Sequence, residues 1–155
     1  MSRMIRFHKF GDADVLQYED VPTPVPGPGE VLVRVQAVGL GWKDVLWRQN
    51  LAAEQAKLPA GTGFELAGTV AVLGEGVNDF EVGTAVAGFP AGTPNRYPTW
   101  GDLVLMPSHA RKVQLWRPEG VGQPLFSRHG VEDQLDAMLV PTVQLKSGGY
   151  LIINQ

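Results

Sequence analysis

Few residues in this chain have types and spacing suited to chemistry, and most of them are glycines. The runs Gly39-Leu40-Gly41, Gly61-Thr62-Gly63 and Gly74-Glu75-Gly76 each hold a G-x-G spacing, which lets a backbone approach a phosphate closely. A dinucleotide-binding turn also needs a third glycine within a strand–turn–helix unit. The first run follows a strand pattern and precedes a helical one, but aspartate, Asp44, stands at the third position. All three runs therefore read as turn glycines, and no cofactor-binding residue is assigned. The histidines, His8, His109 and His129, are far apart, lack metal-ligand spacing and read as surface residues. Ser108-His109 could suggest a nucleophile and base, but no nucleophile-elbow motif accompanies it. There is no cysteine, which excludes disulfides, thiolate metal sites and a thiol nucleophile.

The elements that must position these residues are mostly strands. Residues 4–10 and 15–21 read as a hairpin around Gly11-Asp12. Pro22, Pro24, Pro26 and Pro28 then make a stiff extended connector that cannot donate to a ladder. Residues 30–40 are the clearest strand, with Val31, Val33, Val35 and Ala37 on one face and Leu32, Arg34, Gln36 and Val38 on the other. Residues 44–49 suit a short helix with Val45 and Leu46 inward and Trp47 near them. Residues 51–62 read as loop, 64–73 as the central strand, 84–89 as another strand and 89–100 as loop. Strands are expected at 102–106 and 110–115, and residues 117–123 look like a junction. Residues 131–146 carry the only long helical pattern, kinked or split by Pro141 and stopped by Gly148-Gly149, before a closing strand at 150–153. Short strands with turns between them predict a mainly β domain, a partly open barrel or sandwich with a few peripheral helices.

Composition agrees with that architecture. The 155 residues are enough for one domain with a real core. Glycine (19) and proline (12) make up about a fifth of the chain, a turn-rich balance. The net charge is −3 with no long basic run, which argues against nucleic acid as a partner. No stretch is long and apolar enough to span a membrane, and residues 1–10 do not read as a signal peptide. A cytoplasmic protein is the expectation.

The most ordered stretch is residues 61–83, a β-branched run inside glycine punctuation. It resembles the "G-x-E-x-A-G-x-V-x-x-V-G-x-G-V-x-x-F-x-x-G" signature of the medium-chain dehydrogenase/reductase superfamily. The zinc-free quinone oxidoreductase branch is the nearest match. Residues 5–11, 26–35, 44–49 and 82–89 also fall in family order. The resemblance implies a GroES-like catalytic domain with no Rossmann domain. Its parts would be residues 1–116, a junction at 117–124 in place of the cofactor domain, and a C-terminal helix and closing strand at 125–155. In that scheme the closing strand returns to the catalytic domain.

The same resemblance implies the site. Zinc-dependent relatives hold ligands where this chain has Gly41 and Phe64, and neither residue can bind a metal. No metal is therefore expected. The two carboxylates of the outer shell, Asp44 and Glu65, remain and are expected to pair with arginine, lysine or backbone groups. Zinc-free relatives usually have asparagine at position 41. Gly41, Trp42, Lys43, Trp47 and Phe64 are the candidates to line the substrate cleft, with no catalytic residue assigned. The expected function is a catalytic-domain-only relative of an NADPH-dependent quinone or enone oxidoreductase, without hydride transfer by itself. It would serve as a folding, binding or assembly module. The alternative is an active zinc-independent reductase using NADPH at a dimeric or residual site. No cofactor is expected for the chain alone. A homo-oligomer through the surface of the absent domain, and a small apolar ligand, are the expected partners.

Overall fold

The computed structural model describes residues 1–89 and 94–108, together with the backbone of two short strands near the C-terminus. The first hairpin is β1 (Ser2–Phe7) and β2 (Leu16–Val21), joined through a 3₁₀ turn at Ala13–Val15. Then come β3 (Glu30–Val38), the helix α1 (Trp42–Arg48) and a two-residue strand β4 (Ala60–Gly61). β5 (Leu66–Leu73), β6 (Ala85–Gly88) and β7 (Leu103–Pro107) complete the main body. The architecture is mainly β, as expected, with one α-helix among the described residues. No helix among them is long and apolar enough to cross a membrane.

Two antiparallel sheets form, in the orders β2-β1-β4 and β6-β5-β3-β7. They are stitched along one seam: Met4 bridges to Gly101, the Ile5 N–H donates to the Trp100 carbonyl at 2.8 Å, and the Asp102 N–H to the Arg3 carbonyl at 2.9 Å. The main core includes Met4, Val31, Val33, Val70, Val86, Val104 and Met106. A second cluster, Phe7, Val15, Trp47, Ala56 and Ala60, packs beneath α1.

Several expectations change in detail. Leu32 is buried along with Val31 and Val33, so the alternation on β3 is imperfect. β3 is paired on both edges, and register shifts at Leu32/Val33 and Val35/Ala37 disturb the period of two. On α1 the buried residues are Asp44 and Trp47, one turn apart, while Val45 and Leu46 are only partly buried. Trp47 is drawn inward by the aromatic cluster, and Asp44 by hydrogen bonds described below. Ala60 and Gly61, expected in a loop, pair with Phe7 and Arg6 as β4. The proline connector is tied down at its end: the Ser108 hydroxyl and N–H both donate to the Gly29 carbonyl at 2.8 Å. Ser108 is thus a latch rather than a nucleophile. His8 meets Glu19 at 3.0 Å on the surface.

Near the C-terminus, β8 (Thr142–Gln144) pairs antiparallel with β9 (Tyr150–Ile152). This corrects the helix expected to run to Lys146: Pro141 cannot continue a helix, and β-branched Thr142 and Val143 favour a strand. The closing strand expected at 150–153 is β9, and among the described residues it pairs with β8 in a two-stranded sheet. The strand expected at 110–115, the junction at 117–124, His109, His129 and the body of the helix expected from 131 lie outside the described residues.

Candidate functional site

The β3–α1 turn and the segment between β4 and β5 come together around a cavity of about 230 Å³. Gly39, Gly41, Trp42, Lys43 and Asp44 line it from the first, and Phe64 and Glu65 from the second. A third segment holds the two in place. The Trp100 indole N–H donates to the Gly39 carbonyl at 3.2 Å, and the Thr99 hydroxyl to the Glu65 carbonyl at 2.9 Å. The N–H groups of Thr99 and Trp100 donate to the Thr62 carbonyl at 3.0 and 3.1 Å. Gly63 permits this approach. Its φ of +96° suits glycine, and a side chain there would collide with Thr99 and Trp100.

Asp44 is the most enclosed charged group of the site. Its carboxylate accepts from the Gly41 N–H at 2.9 Å and from the Thr62 hydroxyl at 3.2 Å. The first bond closes the N-terminus of α1, and the second ties α1 to the β4–β5 segment. Burial pushes its pKa up, and the bonds from Gly41, Thr62 and Gly63 only partly oppose that. The partners expected for Asp44 were arginine, lysine or backbone; it finds backbone and a hydroxyl. Glu65 lies over Gly39, where any side chain would run into its carboxylate.

Of the five cleft candidates, Gly41, Trp42, Lys43 and Phe64 line this cavity, and Trp47 does not. Trp47 is fully buried behind it, with its indole N–H donating to the Gly61 carbonyl at 2.9 Å. It meets the Phe64 ring edge-on at 6.3 Å and so sets that wall from behind. Trp42 is exposed, as is the Lys43 ammonium, which sits 5.0 Å from the centre of the Phe89 ring. In the sequence Gly39 and Thr62 appear only within G-x-G runs that read as turns, and Phe89 was not singled out. Gly41 and Phe64 offer no metal ligand, and no three acidic or histidine side chains converge as a metal site among the described residues.

A second, more open concavity of about 300 Å³ lies along the seam between the sheets, lined by Ile5, Tyr18, residues 35–38 and residues 100–102. There the Tyr18 hydroxyl donates to Asp102 at 2.7 Å, and the Arg3 guanidinium stacks 3.8 Å over the Tyr18 ring. The Asp102 bond is the main reason the Tyr18 phenol is harder to ionise than usual. No local motif marks this place, because its residues come from four separate stretches.

The family model of the Alcohol dehydrogenase GroES-like domain matches residues 27–109, more than half of the chain. The chain belongs to that family. It is 39% identical over 101 residues to the synaptic vesicle membrane protein VAT-1 homolog of Rattus norvegicus, a match covering 64% of this chain and 24% of that protein. It is 41% identical over 87 residues to a quinone oxidoreductase of Pseudomonas aeruginosa, covering 56% of this chain and 26% of the relative. Among solved structures, a quinone oxidoreductase of Pseudomonas syringae superposes with a TM-score of 0.61 at 32% identity, covering 74% of this chain and 35% of that one. The matched part spans about a quarter of the length of these curated relatives. A second family model, Ribonuclease E/G family, matches residues 99–155. Its first residues overlap the GroES-like match, and there β7 is hydrogen-bonded to β3 in the main sheet.

Proposed function

We propose that this chain supplies the acceptor side of a zinc-independent quinone- or enone-reductase cleft, and that by itself it transfers no hydride. The observation that carries this reading is the lining of the cavity beside α1. Where zinc-dependent members of the superfamily hold ligands, this cavity has Gly41 and Phe64. Asp44 is committed to the Gly41 N–H and the Thr62 hydroxyl. A small concavity with aromatic lining, where no three acidic or histidine side chains converge among the described residues, suits a flat carbonyl compound. The names of the quinone oxidoreductase relatives support the same class.

NADPH is the hydride donor that the superfamily resemblance suggests. A whole dinucleotide does not fit a cavity of about 230 Å³, because pockets for drug-sized ligands start at about 300 Å³. Among the described residues, the glycine runs lie at strand ends and turns of an antiparallel fold rather than in a βαβ unit. Hydride transfer needs donor and acceptor held in contact. On this reading, the chain's residues bind and orient the acceptor, and a separate nucleotide-binding unit is required. We place its work in the cytoplasm.

Calorimetric titration of the 155-residue chain with NADPH tests this, together with NADPH consumption in the presence of 2-methyl-1,4-naphthoquinone. The expected result is no micromolar binding and no consumption above background, with no zinc retained on metal analysis. Micromolar NADPH binding with turnover would overturn it. That result would favour the second reading, an active reductase whose cofactor site is built by two copies. One observation favours assembly: Leu40, Trp42 and Phe89, on segments flanking the cavity, are exposed large apolar residues. Sedimentation at several concentrations would detect the dimer.

A further inference from the structure

The reductase-cleft reading leaves open what selects the acceptor. Among the described residues lining the cavity, Lys43 is the only cation. The side-chain hydrogen-bond donors there are the Trp42 indole and the Lys43 ammonium, and only the second carries charge. Asp44 and Glu65 line the same cavity, so an anionic ligand meets two carboxylates and a neutral one does not. The Lys43 ammonium lies 5.0 Å from the Phe89 ring centre, a loose contact from an exposed, flexible stem.

Gly41 adds a second, independent observation. Its φ of −137° and ψ of 173° are extended backbone that any residue adopts. A Cβ built there would meet no atom within 4 Å. Neither conformation nor crowding requires glycine at this position, in contrast to Gly63. Its effect is to leave open volume on the cavity wall two residues before Lys43. The Gly41 N–H is already given to Asp44, so the backbone here offers a ligand space but no donor.

We propose that Gly41 and Lys43 set the acceptor specificity of this cavity. The ring system of a neutral two-ring quinone occupies the space beside Gly41, and the Lys43 ammonium donates a hydrogen bond to one of its carbonyl oxygens. A charge-assisted bond of this kind strengthens as negative charge gathers on that oxygen. Lys43 is therefore a recognition residue in the binary complex and an electrostatic stabiliser of the reduced acceptor. The proposal rests on the quinone reading of the previous subsection, but it concerns binding without cofactor.

The test uses the full 155-residue chain and three probes: 2-methyl-1,4-naphthoquinone, its carbonyl-free counterpart 2-methylnaphthalene, and 1,4-benzoquinone. The chain has no cysteine, so thiol addition to quinone does not interfere. Binding is read by calorimetry and tryptophan quenching. The unaltered chain is expected to prefer the naphthoquinone over the hydrocarbon by ~10-fold or more, the scale of one charge-assisted bond. Lys43→Met is expected to bring that ratio to about two or less, and Lys43→Arg to restore it. Gly41→Val is expected to weaken the naphthoquinone while leaving benzoquinone binding in place. Thermal melts establish that each variant is folded. An unchanged ratio in folded Lys43→Met, with the naphthoquinone still bound by the unaltered chain, overturns the role of Lys43 and leaves the quinone reading standing. Equal weakening of both quinones by Gly41→Val overturns the role of Gly41. No saturable binding of either quinone by the unaltered chain overturns both this proposal and the quinone reading.

Discussion

Glu30 and Asp44 begin with the same local bond and end with opposite chemistry. Each carboxylate accepts the N–H of a glycine three residues earlier, Gly27 for Glu30 at 3.0 Å and Gly41 for Asp44 at 2.9 Å. Burial pushes both pKa values up. At Glu30 the Tyr97 hydroxyl at 2.7 Å, the Gly27 N–H and the Arg96 guanidinium at 3.3 Å together outweigh it and hold the carboxyl below its usual value. At Asp44 the only further side-chain partner is the Thr62 hydroxyl, burial is deeper, and the carboxyl stays raised. A backbone N–H is thus common to both. A nearby cation and partial hydration separate a structural latch, which joins β3 to the loop at 94–100, from a poised group beside a cavity.

This contrast can be broken in graded ways. The Asp44 region stands on the aromatic cluster, so Trp47→Ala should cost about 3–5 kcal/mol in urea unfolding, the range for truncating a buried aromatic. A cost under about 1 kcal/mol would mean that Trp47 does not support the cavity. Asp44→Ala leaves the Gly41 N–H and the buried Thr62 hydroxyl without their acceptor and should cost about 1–3 kcal/mol. At the latch, Tyr97→Phe removes one bond from a half-buried pair and should cost roughly 0.5–1.5 kcal/mol. Arg96→Ala should cost less than about 1 kcal/mol, because the Arg96 side chain is 76% exposed. If the two latch variants cost more than Asp44→Ala, the ranking of the two regions is reversed.

The pH dependence sharpens the same comparison with the smallest effects. Glu30 has a lowered folded pKa. Its contribution is therefore present above the unfolded value and is lost as pH falls through the folded one. Asp44 has a raised folded pKa, so the folded chain keeps a proton that the unfolded chain releases. Its contribution falls as pH rises through the window between the two values and returns on acidification. Glu30→Gln should flatten the loss of stability in acid, and Asp44→Asn should steepen it, in urea melts from about pH 7 to about pH 3. Shifts of the same sign in both variants would contradict the assignment.

Much of the fold was legible because it is local. The alternation from Val31 to Val38, the glycine turns around Leu66–Leu73 and the proline connector each predict their structure within a few residues. The family signature lies in these same stretches, which is why the GroES-like match at residues 27–109 coincides with them. The helix pattern misled twice. On α1 the apolar pair Val45 and Leu46 looked inward, yet the buried residues are Asp44 and Trp47. At Thr142–Gln144 a helical period continued past a proline into what is a strand.

The chain's residue order alone determined that neither Gly41 nor Phe64 can hold a metal and that Asp44 and Glu65 stand near them in family order, since side-chain chemistry is independent of folding. Only the tertiary structure decided that Trp47 backs the cavity instead of lining it. The same holds for the buried Thr62 partner of Asp44 and for Gly41, which borders open space while Gly63 is pressed against Thr99 and Trp100. These depend on which distant segments come into contact. Such contacts are set by the packing of two sheets along a shared seam, and no periodicity within a single segment encodes them.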